Sequence, residues 1–275
     1  MTPCLARRVP GGVSLDPAAA GRLVGAVAKM KTSRKTAAKK KPAAKKAAPA
    51  KVGLPRRVVR WVARGVLAVA ALTVLWVLAY RWIDPPTTPY ILAERSRLGG
   101  VARDWVDLED LDPAVARAIV AAEDANFCRH WGFDVDAIRD AIEAGTNRGA
   151  STISQQVVKN AFLWQGRSWP RKVLEAGLTP VMEALWPKRR IVEVYLNVTE
   201  FDAGVFGVQA AAQHYFGRDA ADLSGRQAAL LAAILPDPKG RDAARPSGFV
   251  DRRARSIADG AATIRADGRA ACFED

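Results

Sequence analysis

Three short blocks of the chain concentrate the side chains that could carry chemistry. In the first, Ala122-Glu123-Asp124-Ala125-Asn126-Phe127 runs into Arg129-His130-Trp131-Gly132-Phe133-Asp134. Two acids at the C-terminal end of an apolar helix oppose the helix dipole, which disfavours negative charge there. A solvated pair at a frayed end is one reading. The other is a functional carboxylate, because an apolar, aromatic-flanked setting raises a glutamate's pKa toward that of a working base. The second block is Gly149-Ala150-Ser151-Thr152-Ile153-Ser154-Gln155-Gln156-Val157-Val158-Lys159-Asn160. On a helix starting at Thr152, Gln155 and Lys159 share one face, as do Gln156 and Asn160. An exposed amphipathic helix has the same spacing. The third is Gly166-Arg167-Ser168-Trp169-Pro170-Arg171-Lys172-Val173-Leu174-Glu175. Arg171 and Glu175 are four apart, and Arg167 stands just ahead of a helix N-terminus. Two arginines at a helix N-terminus suit a phosphate or pyrophosphate, whereas a surface Arg171–Glu175 bridge alone would contribute little.

The elements that must position these residues read as mostly helical. Asp112-Pro113 is an N-cap and first-turn pair for a helix carrying Val115, Ile119 and Val120. Val135, Ile138 and Ile142 fall at helical spacing, with Gly145 as a stop signal. Thr152 with Gln155, and Ser224 with Gln227, form capping boxes. A helix from about Ser168 is expected to bury Val173, Leu178, Val181, Met182 and Leu185. Val250, Ala254, Ile257, Ala261 and Ile264 mark a last amphipathic helix. Strand signals are few and there is no internal repeat.

The chain has 275 residues and a formal charge of +14, which at first invites a nucleic-acid-binding reading. The charge is not evenly spread. Residues 1–64 hold 17 Lys+Arg against one acid, Asp16, and the other 211 residues hold 25 bases against 27 acids. The Lys/Ala/Pro run over residues 29–51 has too few apolar side chains to offset its ordering entropy, so residues 1–56 are expected to be a disordered basic tail. Met30 directly precedes that run and stands as an alternative start of translation. Gly65 to Tyr80 is a charge-free run of 16 residues between Arg64 and Arg81. With flanking Arg and Trp side chains at the interfaces, a transmembrane helix is expected over 57–84. A signal peptide fits poorly with some 60 preceding residues. The basic side places the N-terminus in the cytoplasm and the remaining chain outside. Two histidines and three scattered cysteines (Cys4, Cys128, Cys272) exclude a Cys/His zinc site, and the odd count without close pairs argues against a disulfide framework.

Singly, each block is weak evidence. In their order and spacing they resemble the glycosyltransferase domain of peptidoglycan polymerases, a lysozyme-like domain also found in bifunctional penicillin-binding proteins. The first block is similar to that family's E-D-x-x-F-x-x-H-x-G-x-D motif, matched at Glu123, Asp124, Phe127, His130, Gly132 and Asp134. The second is similar to G-x-S-T-I-x-Q-Q-x-x-K-N from Gly149 to Asn160, and the third to R-K-x-x-E at Arg171, Lys172 and Glu175. Lys188-Arg189-Arg190-Ile191-Val192-Glu193-Val194-Tyr195-Leu196-Asn197 resembles its K-x-x-I-L-E-x-Y-L-N helix. Ala150 stands where the family usually has a second glycine. The phrases around Phe162–Trp169 and Leu185–Asn197 resemble the monofunctional branch, and no Ser-x-x-Lys tetrad or Lys-Thr-Gly triad exists, which excludes a penicillin-binding transpeptidase. The expected fold is therefore mainly α, a glycosyltransferase domain over 85–250 behind the single membrane helix, with a C-terminal helical extension over 251–275.

The resemblance implies polymerisation of lipid II in the inner membrane, with the catalytic domain periplasmic. The 4-hydroxyl of one lipid II attacks the anomeric carbon of a lipid-linked glycan chain and releases undecaprenyl pyrophosphate. It implies Glu123 as base, Glu175 as a second essential carboxylate, and Lys159, Arg167 and Arg171 as a pyrophosphate clamp. Asp124, Ser151, Thr152, Gln156, Asn160 and Lys172 are the implied supporting substrate contacts. No organic cofactor is implied, and a divalent cation (Mg or Mn) is left open. Partners implied are the lipid-linked substrates, membrane lipid and other cell-wall synthesis or division proteins, with no nucleic acid. Two rivals remain at this point: a lytic muramidase, which has no pyrophosphate leaving group for the cations to hold, and a tethered polyanion-binding protein acting through its tail.

Overall fold

The computed structural model describes residues 55–143, 145 and 151–274. The expected disordered tail therefore lies outside the described residues, apart from its last two, and so does the Gly149-Ala150 turn. Helix α1 (Arg56–Ala79) is long and apolar enough to cross a membrane, with a mean hydropathy of 2.2 over its most apolar window. It carries almost no buried side chains until Val77, where its C-terminal end meets the domain. There Trp186 donates its indole N–H to the Val77 carbonyl (2.8 Å), and Arg190 donates from Nε to the Tyr80 carbonyl (3.0 Å). Trp76, Tyr80, Phe162 and Trp186 form an aromatic cluster around that joint. The end of the apolar helix is thus fixed to the folded domain.

Helices α2 (Pro89–Leu98), α3 (Pro113–Glu123), α4 (Val135–Glu143), α5 (Ile153–Phe162), α6 (Trp169–Leu185) and α7 (Lys188–Val198) come first in the domain. Next come α8 (Val208–Phe216), α9 (Gly225–Ile234), α10 (Gly248–Ala266) and the short α11 (Ala271–Glu274). A three-stranded sheet of very short strands, β1 (Ala102–Arg103), β2 (Glu200–Asp202) and β3 (Val205–Phe206), has the order β1-β3-β2. β1 runs parallel and β2 antiparallel to the central β3. The core sits where α3, α9 and α10 pack together and where α5 lies against α6 and α7.

The expected caps are in place. Asp112 accepts from the Ala114 amide (2.7 Å) at the start of α3, and both capping boxes form. Helix α10 buries Val250, Ala254, Ile257, Ala261 and Ile264, as the periodicity requires. It does so against α3 and α9, so a boundary at residue 250 cuts a core helix near its start, and the segment after it is no mere extension.

Two further expectations are corrected. Cys128 and Cys272, 144 residues apart, form a disulfide. Sequence spacing carried no sign of it, because only the fold brings their Cα atoms to 5.6 Å. Helix α6 also turns the opposite way from the apolar-face reading: Val173 is 66% exposed, Leu178, Val181 and Leu185 are half-buried, and only Met182 of the five is fully inside. The stripe it buries is Arg171, Glu175, Thr179 and Glu183, spaced four apart. α4 forms over the expected span, yet Val135 and Ile142 stay exposed.

Candidate active site

Glu123 is the last residue of α3, and the chain then turns through Asp124 into a 3₁₀ turn at Phe127–Arg129. The Glu123 carboxylate accepts a hydrogen bond from Gln156 Nε2 on α5 (2.9 Å). Burial pushes its pKa up, and this outweighs the opposing pull of the Gln156 hydrogen bond and of the Arg253 and Lys159 charges. Together with Asp124, Asn126, Asp134, Ser151 and Thr152 it lines a cleft of 220 Å³.

Several of the residues that line the cleft beside Glu123 also hold the loop in place. Asp124 is buried; one oxygen accepts from the Ile153 amide at the N-terminus of α5 (3.0 Å) and the other from His130 Nε2 (2.9 Å). A carboxylate at a helix N-terminus is favoured by the dipole. Thr152 donates its hydroxyl to the Gly132 carbonyl (2.6 Å) while its oxygen caps α5. Gly132 has φ +85°, and a Cβ there would meet Thr179 Cγ2 at 2.7 Å, so only glycine fits. Asp124 and Thr152, expected as substrate contacts, therefore join the first block to the second.

The inward stripe of α6 completes the frame. Ser154 hydrogen-bonds Glu183, and Lys188 bridges the Glu183 carboxylate and the His130 carbonyl, each at 2.9 Å, with its ammonium over the Phe127 ring. Tyr195 on α7 donates to Gln156 Oε1 (3.3 Å), the same amide that holds Glu123. Reading the sequence for apolar periodicity missed Ser154, Glu183 and Tyr195 as members of this network; the signal for Glu183 was the polar series 171, 175, 179, 183.

The cations gather about Glu175, which is 2% exposed. Its carboxylate pairs with Arg171 Nη1 (2.6 Å) and with Lys172 Nζ. Arg171 also donates from Nε to the Gly166 carbonyl (2.8 Å), fixing the turn that carries Arg167. Arg167, Ser168, Trp169, Arg171 and Lys172 line an open groove of 280 Å³. Lys159 is within Coulombic range of Glu175, Arg171, Glu123 and Lys172, and burial lowers its pKa against the pull of Glu175. It is thus coupled electrostatically both to Glu123 and to the Glu175 cluster. Asn160 is buried and accepts from Gln165 Nε2 (3.0 Å).

Asp124, His130 and Asp134 place ligand-type atoms within 4.8 Å of one another. Asp134 takes the Ala137 amide (2.9 Å) and Asn126 Nδ2 (3.1 Å), Asp124 takes its two donors above, and the buried His130 Nδ1 has no protein partner among the described residues. These bonds tie the Asp124–Asp134 loop to itself and to α5.

A helical, lysozyme-like glycosyltransferase domain anchored by an apolar helix, with a half-buried carboxylate and a cation groove, is the class that fold and site define. Residues 92–262 match the family described as transglycosylase. The chain is 63% identical over 220 residues to a biosynthetic peptidoglycan transglycosylase of Jannaschia sp. (strain CCS1), covering 80% of this chain and 92% of that protein. A protein of the same name from Rhodospirillum centenum is 48% identical over 225 residues, covering 80% and 97% of the two chains. Another, from Stutzerimonas stutzeri, is 49% identical over 212 residues, covering 74% and 88%. The chain belongs to the transglycosylase family, as a monofunctional, membrane-anchored peptidoglycan glycosyltransferase.

Proposed function

We propose that the enzyme polymerises lipid II by inverting attack of its 4-hydroxyl on a lipid-linked glycan donor, with undecaprenyl pyrophosphate as the leaving group. The observation that carries this reading is the pairing of one half-buried carboxylate, Glu123, with a cation groove, Lys159 being electrostatically coupled to Glu123 and to Arg171, Lys172 and Glu175. Glu123 has one oxygen held by Gln156, which leaves the other for the incoming hydroxyl proton. A positioned base of raised pKa contributes about 10²–10⁴-fold. Negative charge develops on the pyrophosphate as the glycosidic bond breaks, and Lys159, Arg167, Arg171 and Lys172 are the groups that would stabilise it. Glu175 acts on that cluster as a positioning anion. Ser151, at the mouth of the cleft, and Gln156 remain as substrate-side contacts. No step is routed through a metal.

Two observations support an extracytoplasmic domain on the inner membrane. The basic segment before α1 favours a cytoplasmic N-terminus, and a disulfide is characteristic of oxidising compartments. The exposed Trp169, Val173 and Leu174 of α6, a helix that also contacts α1, suit a surface lying against lipid, where the substrate's tail remains. Incubation of the full chain with lipid II in detergent or vesicles tests the reading: glycan polymer is expected from wild type and none from a folded Glu123→Gln variant. Soluble muropeptides released from intact peptidoglycan, with no polymer from lipid II, would assign the enzyme to lysis instead.

A further inference from the structure

The segment 267–274 lies beyond the residues matched to the family, and it is bound at two points to the loop after Glu123 and at a third to α3. Cys272 is disulfide-bonded to Cys128, in the turn five residues after Glu123. Arg269 donates to the carbonyl of Ala125 (3.4 Å), two residues after Glu123, and is itself held by Asp267 (2.7 Å). Glu274 pairs with Arg117 of α3 (2.8 Å), on the helix that ends in Glu123. Phe273 between them is buried in the core, and α11 packs against both the Phe127–Arg129 turn and α7, which carries Tyr195. The loop is also held by Ile153 and Thr152 of the second block and by Lys188 of α7.

We propose that this C-terminal segment is a strap that positions the Glu123–Asp134 loop for glycosyl transfer, and that the Cys128–Cys272 bond locks it. The inference rests on Glu123 acting as the base. When a dithiol reduces the bond, it supplies two electrons and two protons and itself closes to a disulfide, leaving Cys128 and Cys272 as thiols. The strap is then held by non-covalent contacts, among them those of Arg269, Glu274 and Phe273, and the loop loses its disulfide cross-link to it. A misplacement near 1 Å at a catalytic group is enough to cost about 100-fold in rate, so a partial loosening is expected to lower kcat by about tenfold with little change in KM.

The test uses the full chain in vesicles, in a Cys4→Ser background so that only this pair responds. Oxidised enzyme, dithiothreitol-reduced enzyme and the Cys128→Ser/Cys272→Ser double variant are compared by lipid II polymerisation and by amide hydrogen exchange, at a temperature where circular dichroism shows all three folded. The strap predicts faster exchange over 124–134 with α9 and α10 unchanged. It also predicts kcat down about tenfold, and an acid limb of kcat displaced toward the ordinary glutamate range as water reaches Glu123. Arg269→Ala should add to the effect. Unchanged exchange over 124–134, or a kcat within about twofold of wild type in the double variant, overturns the strap. If oxidised enzyme makes no polymer at all, the substrate reading has failed, and the exchange data still decide the strap.

Discussion

Removing Glu175 separates a buried charge anchor from a surface ion pair. The Glu175 side chain is 3% exposed and that of Arg171 11%, whereas that of Lys172 is 43% exposed. Glu175→Ala leaves the Arg171 guanidinium buried with only the Gly166 carbonyl as a named partner. Breaking a buried pair on one side costs about 3–5 kcal/mol, because the remaining charge is uncompensated. At about 2–4 °C per kcal/mol for a domain of this size, the melting temperature should fall by about 6–20 °C. Lys172→Ala removes a half-exposed partner and should cost about 0–1 kcal/mol. Thermal unfolding in detergent, followed by circular dichroism, measures both. Polymer formation should be lost in Glu175→Ala through disorder of the cation groove. Glu175→Gln retains the shape and one acceptor, and serves if the alanine variant does not fold. A Glu175→Ala protein melting within about 2 °C of wild type would refute the argument, because the carboxylate would then not be the partner that makes Arg171's burial tolerable.

Three further outcomes follow from the site. Burial raises the Glu123 pKa, so the folded state favours its protonated form; that contribution to stability is full below the ordinary glutamate value and is lost as pH rises through the raised one. Glu123→Gln should accordingly abolish polymerisation while leaving the melting temperature at neutral pH equal to or above that of wild type, and a clear drop would contradict the sign. Activity requires the deprotonated base, so kcat should rise with pH along a limb lying above about 4.3. Gln156→Leu, which removes a hydrogen bond that lowers the Glu123 pKa, should move that limb further up in a pH–rate profile, and a downward shift would remove Gln156 from that role. Gly132→Ala places a Cβ against Thr179 at a positive φ and should cost about 2 kcal/mol or more, read as a lowered melting temperature with the Glu123–Asp134 loop disturbed.

Local chemistry was legible without the fold. The Asp112 cap, the two capping boxes, the membrane-length apolar run and the buried face of α10 each depend on neighbours within a few residues, and each stands where the periodicity and cap chemistry put it. The three motif blocks, through their order and spacing, pointed to a glycosyltransferase and to Glu123, Lys159, Arg167, Arg171 and Glu175. What the blocks do to one another was not legible, because it depends on contacts between distant segments. Asp124 and Thr152, which line the cleft, also tie α5 to the loop after Glu123. α6 defeated the apolar-face rule because its polar stripe has partners on α5 and α7, and satisfied charges can be buried where unsatisfied ones cannot. Cys128 and Cys272 looked unrelated at a separation of 144 residues. Motif order and short-range spacing thus pointed to the class of chemistry and to candidate groups for it. Only the tertiary structure decided which of those groups face the cleft, since burial and charge compensation are set by residues far away in the chain.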